Sequence, residues 1–184
     1  MKIILASTSP RRKILLTEAG FSVEVVPPVF DEDQVPPAAP AQYTVTLAQG
    51  KVASVLDRVR DRELVRDRGG SLAAGPGRAG NPGVDPIAPG RTPTAGPIVL
   101  GGDTVVFHRG EYLNKPRDPE DALRILRRLS GTTHEVFSGI ALCHLGRDAW
   151  RTGWERSLVT MKRLSAPEIE QYIASGECFD KAGA

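Results

Sequence analysis

The chain has little of what marks several function classes. Of its 184 residues only two are cysteines, Cys143 and Cys178, and their separation fits no metal-ligand spacing. Two thiols do not make a disulfide scaffold, so the composition points to a reducing, cytoplasmic setting. The three histidines, His108, His134 and His144, are scattered and show no zinc spacing either. No apolar run approaches the roughly 18 residues of a membrane span, so no membrane partner is expected. The N-terminus enters an apolar strand directly, without the long h-region and cleavage site of a signal peptide. Formal charge is only +2, with acids and bases interspersed. Binding of bulk nucleic acid is therefore not expected, while a local basic site remains open.

What is present suffices for one core. Apolar residues make up 40% of the chain, and its length predicts a single domain over 1–184. The most informative stretch is Ile98-Val99-Leu100-Gly101-Gly102-Asp103-Thr104-Val105-Val106. It reads as a strand buried on both faces, because it is apolar without strict alternation. Two glycines, a carboxylate and a hydroxyl interrupt it. Glycine weakens a strand but lets a ligand approach the backbone. A carboxylate in a sheet core is costly unless paired, protonated or metal-bound. Asp103 is thus a candidate metal ligand or proton acceptor; the plainer reading is a bulge whose Asp is held by backbone N–H groups.

The flanking elements follow from local rules. Lys2 to Ala6 reads as a strand, and Ser7-Thr8-Ser9-Pro10 as the start of a helix with a hydroxyl cap and Pro10 at its first position. Ile14, Leu15, Leu16 and Ala19 are expected to be its buried face, with Gly20 as its stop. Arg11, Arg12 and Lys13 crowd the first turn, where the helix dipole is already positive. Hydroxyls, free N–H groups and arginines there suit a phosphate; the alternative is a solvated basic turn. Ser22 to Val26 predicts a strand. Asp31-Glu32-Asp33 is an acidic loop that is either solvated or a cation site. Ala41 to Leu56 predicts a helix, with Gly50 inside it as a sign of close packing and Lys51 either exposed or facing a phosphate. Residues 66–97 hold eight glycines, six prolines and no aromatic residue, which predicts a disordered insertion.

Beyond the central strand, His108-Arg109-Gly110-Glu111 predicts a hairpin turn, with Tyr112-Leu113-Asn114 returning and Lys115-Pro116 closing it. Asp118 caps a helix that ends before Gly131, with Glu120 and Asp121 at its positive end. Two long strands follow, Thr132 to Leu145 and Ala149 to Arg163. Ser165 and Glu168 then form a capping box for a helix running to about Ser175. Asp180 and Lys181 are a second local acid–base pair; the plainer reading is an exposed turn.

Taken together, Leu-Ala-Ser-Thr-Ser-Pro-Arg-Arg at 5–12, Asp31-Glu32, Lys51, Gly-Gly-Asp-Thr-Val-Val at 101–106, Asn114-Lys115-Pro116, Leu-Ser-Gly-Thr-Thr-His-Glu-Val at 129–136 and Asp-Lys-Ala-Gly at 180–183 resemble the Maf family of nucleoside triphosphate pyrophosphatases. The resemblance covers nearly the whole chain apart from 66–97. It implies an α/β fold, with a mixed twisted sheet flanked by helices and a cleft between two lobes, as in inosine triphosphatase. It implies hydrolysis of dTTP or UTP, or of modified pyrimidine nucleotides, to the nucleoside monophosphate and pyrophosphate with Mg²⁺ or Mn²⁺. In the family the Asp matching Asp103 is the proton acceptor, and the positions matching Arg11 and Thr104 are tied to base choice. The family often forms homodimers and is linked to septum formation, so a non-catalytic nucleotide- or nucleic-acid-binding regulator is the alternative. Family members continue beyond the position of Ala184 with further strands, a helix and another base-choice residue, Gln; this chain is expected to lack that part.

The residues' chemistry agrees with that assignment. A triphosphate needs cations and a positioned water. Ser7, Arg11, Arg12, Lys51 and Lys115 can hold phosphates. Glu32 and Asp103 can hold the divalent metal, and Asp103 can orient the attacking water.

Overall fold

A computed structural model describes residues 2–68, 96–147 and 149–184. The strands and helices in chain order are β1 (Lys2–Ala6), α1 (Pro10–Glu18), β2 (Ser22–Val25), α2 (Pro40–Arg68), β3 (Ile98–His108), β4 (Glu111–Leu113), α3 (Pro119–Leu129), β5 (Thr133–His144), β6 (Ala149–Thr160) and α4 (Ala166–Ala174). One mixed, open sheet runs β2-β1-β3-β5-β6, with β4 paired to β3. β1 lies parallel to both β2 and β3, while β5 is antiparallel to β3 and β6. The α/β expectation holds. No described helix is long and apolar enough to cross a membrane.

The central strand is buried as its composition requires, and α2 covers one face of it. Val52, Val55 and Val59 of α2 pack with Ile4, Ala6, Val99 and Ala141 of the sheet. Each of these valines, and Ile4, contributes about 1.5–3 kcal/mol when fully buried. On the other face Val106 and Leu113 meet Ile125 and Leu129 of α3. The α3 rules hold: Asp118 Oδ1 accepts from the Asp121 amide at 2.7 Å, Glu120 and Asp121 occupy the first turn, and Arg127 and Arg128 the last. Arg109 and Gly110 both take positive φ (50° and 83°) at the β3–β4 turn, the conformation that joins tightly twisted strands.

Three expectations need correction. First, α1 has no buried residue, and Ile14 and Leu15 are 53% and 65% exposed. The helix rests on β2 at the margin of the sheet, and nothing among the described residues lies over its outer side. Ser9 also makes no side-chain cap. Second, α2 continues twelve residues past Leu56 to Arg68, because Val59 extends its buried stripe. Residues 66–68 are therefore helical, and the remainder of the Gly/Pro-rich stretch up to residue 95 lies outside the described residues. Third, β6 ends at Thr160 rather than Arg163.

One glycine of β3 and one of β5 have an unexpected task. A Cβ on Gly101 would stand 2.7 Å from the Ala48 carbonyl oxygen, and one on Gly139, in β5, 2.6 Å from that of Thr44. Both glycines admit the backbone of α2 rather than a ligand. Gly101→Ala should therefore push α2 off the sheet and cost about 1–3 kcal/mol, measured by urea unfolding. A second expectation concerns α4. Glu168 accepts from the Ser165 amide at 2.8 Å and from Lys162 Nζ at 2.6 Å. The Lys162 contact, followed by the Ser165 bonds, holds its carboxyl down at about 2. A depressed carboxyl stabilises the fold above its unfolded value and loses that effect as pH falls through the folded one. Glu168→Gln should be less stable than the parent at neutral pH, and the two should converge as the pH approaches about 2 in thermal melts.

Candidate active site

β3 has β5 along one edge throughout, but two short partners along the other. β1 pairs with it as far as Ala6↔Gly101, and β4 begins only at Val106↔Leu113. Gly102, Asp103, Thr104 and Val105 therefore lack a strand partner on that edge. Ser7 follows the last residue of β1 and stands at the gap. Side chains alternate along a strand, so Asp103 projects toward α2 and Thr104 toward the opposite face.

On the α2 side, Asp103 is 7% exposed and Lys51 8%. Lys51 Nζ donates to Asp103 Oδ1 and lies 2.9 Å from Glu32 Oε1. Burial pushes the Asp103 carboxyl above its ordinary value; Lys51 opposes this, Glu32 adds to it, and the more distant Arg12 opposes it. Tyr43 borders the same group: burial raises its hydroxyl, and the charges of Asp103, Glu32 and Asp33 raise it further. Gly50 explains how Glu32 arrives. A Cβ there would lie 2.2 Å from Phe30 Cζ, so the missing side chain lets the Phe30 ring sit on α2. The acidic turn two residues later then stops above Lys51. Of the two readings of Lys51, the exposed one does not hold: the side chain is buried in an ion pair.

On the other face, Arg12 Nη1 donates to Ser7 Oγ at 3.3 Å and its Nη2 to Thr104 Oγ1 at 3.4 Å. Ser7 Oγ also accepts from the Ser9 amide at 3.1 Å. Thr104 Oγ1 and Ser138 Oγ are 3.5 Å apart. This group joins the start of α1 to the strand gap, and its charge reaches Asp103 through Arg12. Arg11 goes elsewhere. Lys115 Nζ donates to Asp180 Oδ1 at 3.1 Å, and Asp180 is held below the usual carboxylate range by Lys115 first and Arg11 later in order. Of the residues singled out in the sequence, Lys51, Glu32 and Asp103 form one group, Ser7, Arg12 and Thr104 a second across the strand, and Lys115 and Arg11 a third around Asp180.

Three participants were missed in the sequence. Asp180 pairs with Lys115 rather than with its neighbour Lys181, and no local spacing ties it to Lys115. Ser138 stands opposite Thr104 in the β3–β5 register, which only strand pairing reveals. Tyr43 is one helical residue among others until Phe30 and Glu32 fold over it.

Among the described residues no cluster of three or more His, Cys, Asp or Glu forms a cage for a metal. Glu32 and Asp103 nevertheless converge on one cation, the Lys51 ammonium. Two hard-oxygen donors suit Mg²⁺ or Mn²⁺, which bind through one or two carboxylates and complete their shell with water and substrate phosphate. The donor set fits such an ion.

Removing one member of a buried ion pair leaves an uncompensated charge. Lys51→Met should cost about 3 kcal/mol on that ground, and Lys51→Met combined with Asp103→Leu should recover most of the loss in urea unfolding. Independent, additive losses would show that the pair is not coupled.

The sequence profile of the Maf family, described as Maf-like protein, matches residues 2–184. The chain is 37% identical over 181 residues to the dTTP/UTP pyrophosphatase of Salinibacter ruber, covering 98% of this chain and 72% of that protein. It is 35% identical over 184 residues to the dTTP/UTP pyrophosphatase of Dictyoglomus turgidum, covering 100% and 77%. For the protein of the same name from Bacillus cereus the figures are 34% over 183 residues, 100% and 72%. With the Gly-Gly-Asp-Thr strand, the paired Lys51 and the arginine turn at the start of α1 in place, the chain belongs to the Maf family.

Proposed function

We propose that this chain is a nucleoside triphosphate pyrophosphatase acting on dTTP and UTP. The observation that carries the reading is the buried Asp103, set beside Lys51 at a break in the sheet edge that Ser7 and Arg12 border. The names of the relatives support the same substrates and do not favour the non-catalytic regulator of division.

The reaction is mainly positioning and charge neutralisation. Water attacks the α-phosphorus, the bond from that phosphorus to the bridging oxygen breaks, and pyrophosphate leaves with the electron pair. Asp103 accepts the proton of the attacking water. Its raised carboxyl brings it closer to neutral pH, where a general base is most effective. Lys51 holds Asp103 ionised and in place. Arg12, and from the third group Arg11 and Lys115, neutralise the phosphate tail, while Ser7 offers it a hydroxyl donor. Lys115 would exchange Asp180 for phosphate as substrate arrives. Thr104, with its hydroxyl held between Arg12 and Ser138, and Arg11 are assigned to base choice. Glu32 and Asp103 would hold Mg²⁺ or Mn²⁺, which when bound supplies further charge neutralisation on the phosphates. The reading carries a cytoplasmic location and a homodimer, which sedimentation would check.

The test is pyrophosphate release from a panel of triphosphates with Mg²⁺ or Mn²⁺. The parent chain should turn over dTTP and UTP ahead of purine nucleotides. Asp103→Asn should lower kcat by about 10²–10⁴-fold, the usual contribution of a general base, while circular dichroism stays unchanged. Undiminished turnover by that variant would remove Asp103 from its role.

A further inference from the structure

β3 carries a second set of chemically capable side chains, five residues beyond Asp103 and on the other face of the sheet. The β3–β5 pairing continues to Phe107↔Glu135. The next step sets His108 opposite His134. On the outer sides His108 pairs with Glu111 of β4, and His134 with Val159 of β6. Residues directly opposite on antiparallel strands have Cβ atoms about 4.5–5.5 Å apart and face the same way. The two rings are close enough to influence each other electrostatically.

Both histidines are almost fully buried, 4% and 5% exposed. Three buried ring nitrogens have no hydrogen-bond partner among the described residues: His108 Nε2 and His134 Nδ1 on this facing pair, and His144 Nδ1 alone at the far end of β5. A buried polar nitrogen without a partner costs about 1–3 kcal/mol, and two on facing residues call for an occupant. Both residues border an open pocket of about 280 Å³ at the end of β3, together with Arg109, Thr132 and Thr133. The neighbouring carboxylates are engaged. Glu111 is paired with Arg124 and Arg128, and Glu135 with Arg156. Thr132 and Thr133 hydroxyls are likewise committed, to the Leu129 carbonyl and to Thr160. Of the uncharged side chains there, the two imidazoles are left with unused capacity; the Arg109 guanidinium is exposed to solvent.

We propose that His108 and His134 form a binding site for a borderline transition-metal ion of the Zn²⁺, Ni²⁺ or Cu²⁺ class. Imidazole nitrogen is the preferred donor of those ions, whereas Mg²⁺ takes hard oxygen. No third His, Cys, Asp or Glu joins the pair among the described residues, so water or a small anion completes the shell and the metal exchanges readily. Clipping β3 to β5, the ion would hold the β3–β4 hairpin against the sheet. At about 3.3 Å per strand residue the site lies about 16 Å along β3 from Asp103, separate from the carboxylates that would hold the hard cation of catalysis.

The chain has only three histidines, which makes the test clean. Zn²⁺ or Ni²⁺ alone would be titrated into the apo chain by calorimetry, with thermal melts in parallel. One ion should bind per chain and raise the melting temperature. His108→Leu and His134→Leu should each weaken binding by at least the 10- to 100-fold that losing even an outer-shell partner costs, while His144→Gln, at the far end of β5, should match the parent. If a leucine variant fails to fold, imidazole NMR of the parent decides the matter. Substoichiometric Ni²⁺ should broaden the ring signals of His108 and His134 before that of His144. Mg²⁺ should produce neither effect. Parent-level binding in both leucine variants, no binding at millimolar Zn²⁺, or equal broadening of all three rings would overturn the proposal.

Discussion

The ion pair between Lys51 and Asp103 depends on how closely α2 lies on the sheet. Gly101 and Gly139 remove the two side chains that would hold the helix away. With its backbone that low, Lys51 reaches Asp103 from within the protein, and both are shielded from water. Shielding strengthens their attraction and raises the cost of leaving either charge alone. Glu32 joins from the solvent side because Gly50 lets Phe30 sit on the same helix. Three glycines, none of them at a turn, thus assemble one electrostatic unit.

The second constraint is topological. A strand bordered by β1 over one stretch and β4 over another must have a break between them, and the break falls at Gly102 to Val105. Reactive groups on the two faces of a continuous sheet would be separated by its full thickness. At the break they are separated by one strand with an open edge, and Ser7 and Arg12 stand beside it. The helix charges follow the same logic. α3 places acids at its positive end and arginines at its negative end. α1 has no acid in its first turn and no side-chain cap, and Arg12 turns to Ser7 and Thr104 instead.

Position along β3 then separates functions. Its first half is core against α2, its middle holds the carboxylate and hydroxyl at the break, and its end holds His108 in a buried row with His134. Each segment has different neighbours because β1, β4 and β5 start and stop at different points along it. One strand can therefore carry an ion pair of hard oxygen chemistry and a pair of imidazoles without the two interfering.

Much of this was legible in the amino-acid sequence. The strands' existence and order, the Asp118 cap, the Arg109-Gly110 turn and the anomaly of a carboxylate at position 103 of a core strand follow from local rules, since caps, turns and broken apolar runs are set by residues within a few positions of each other. The unusual charge at the start of α1 was visible for the same reason. What the sequence could not decide is which distant groups meet. The burial of Lys51 is not legible because nothing local says that α2 rests on two glycines 50 and more residues away. Ile14 and Leu15 looked buried because an apolar stripe declares a preference, not a partner. Asp180 beside Lys115, Ser138 beside Thr104 and His134 beside His108 are consequences of strand register and chain return, and those contacts arise only when the tertiary structure closes.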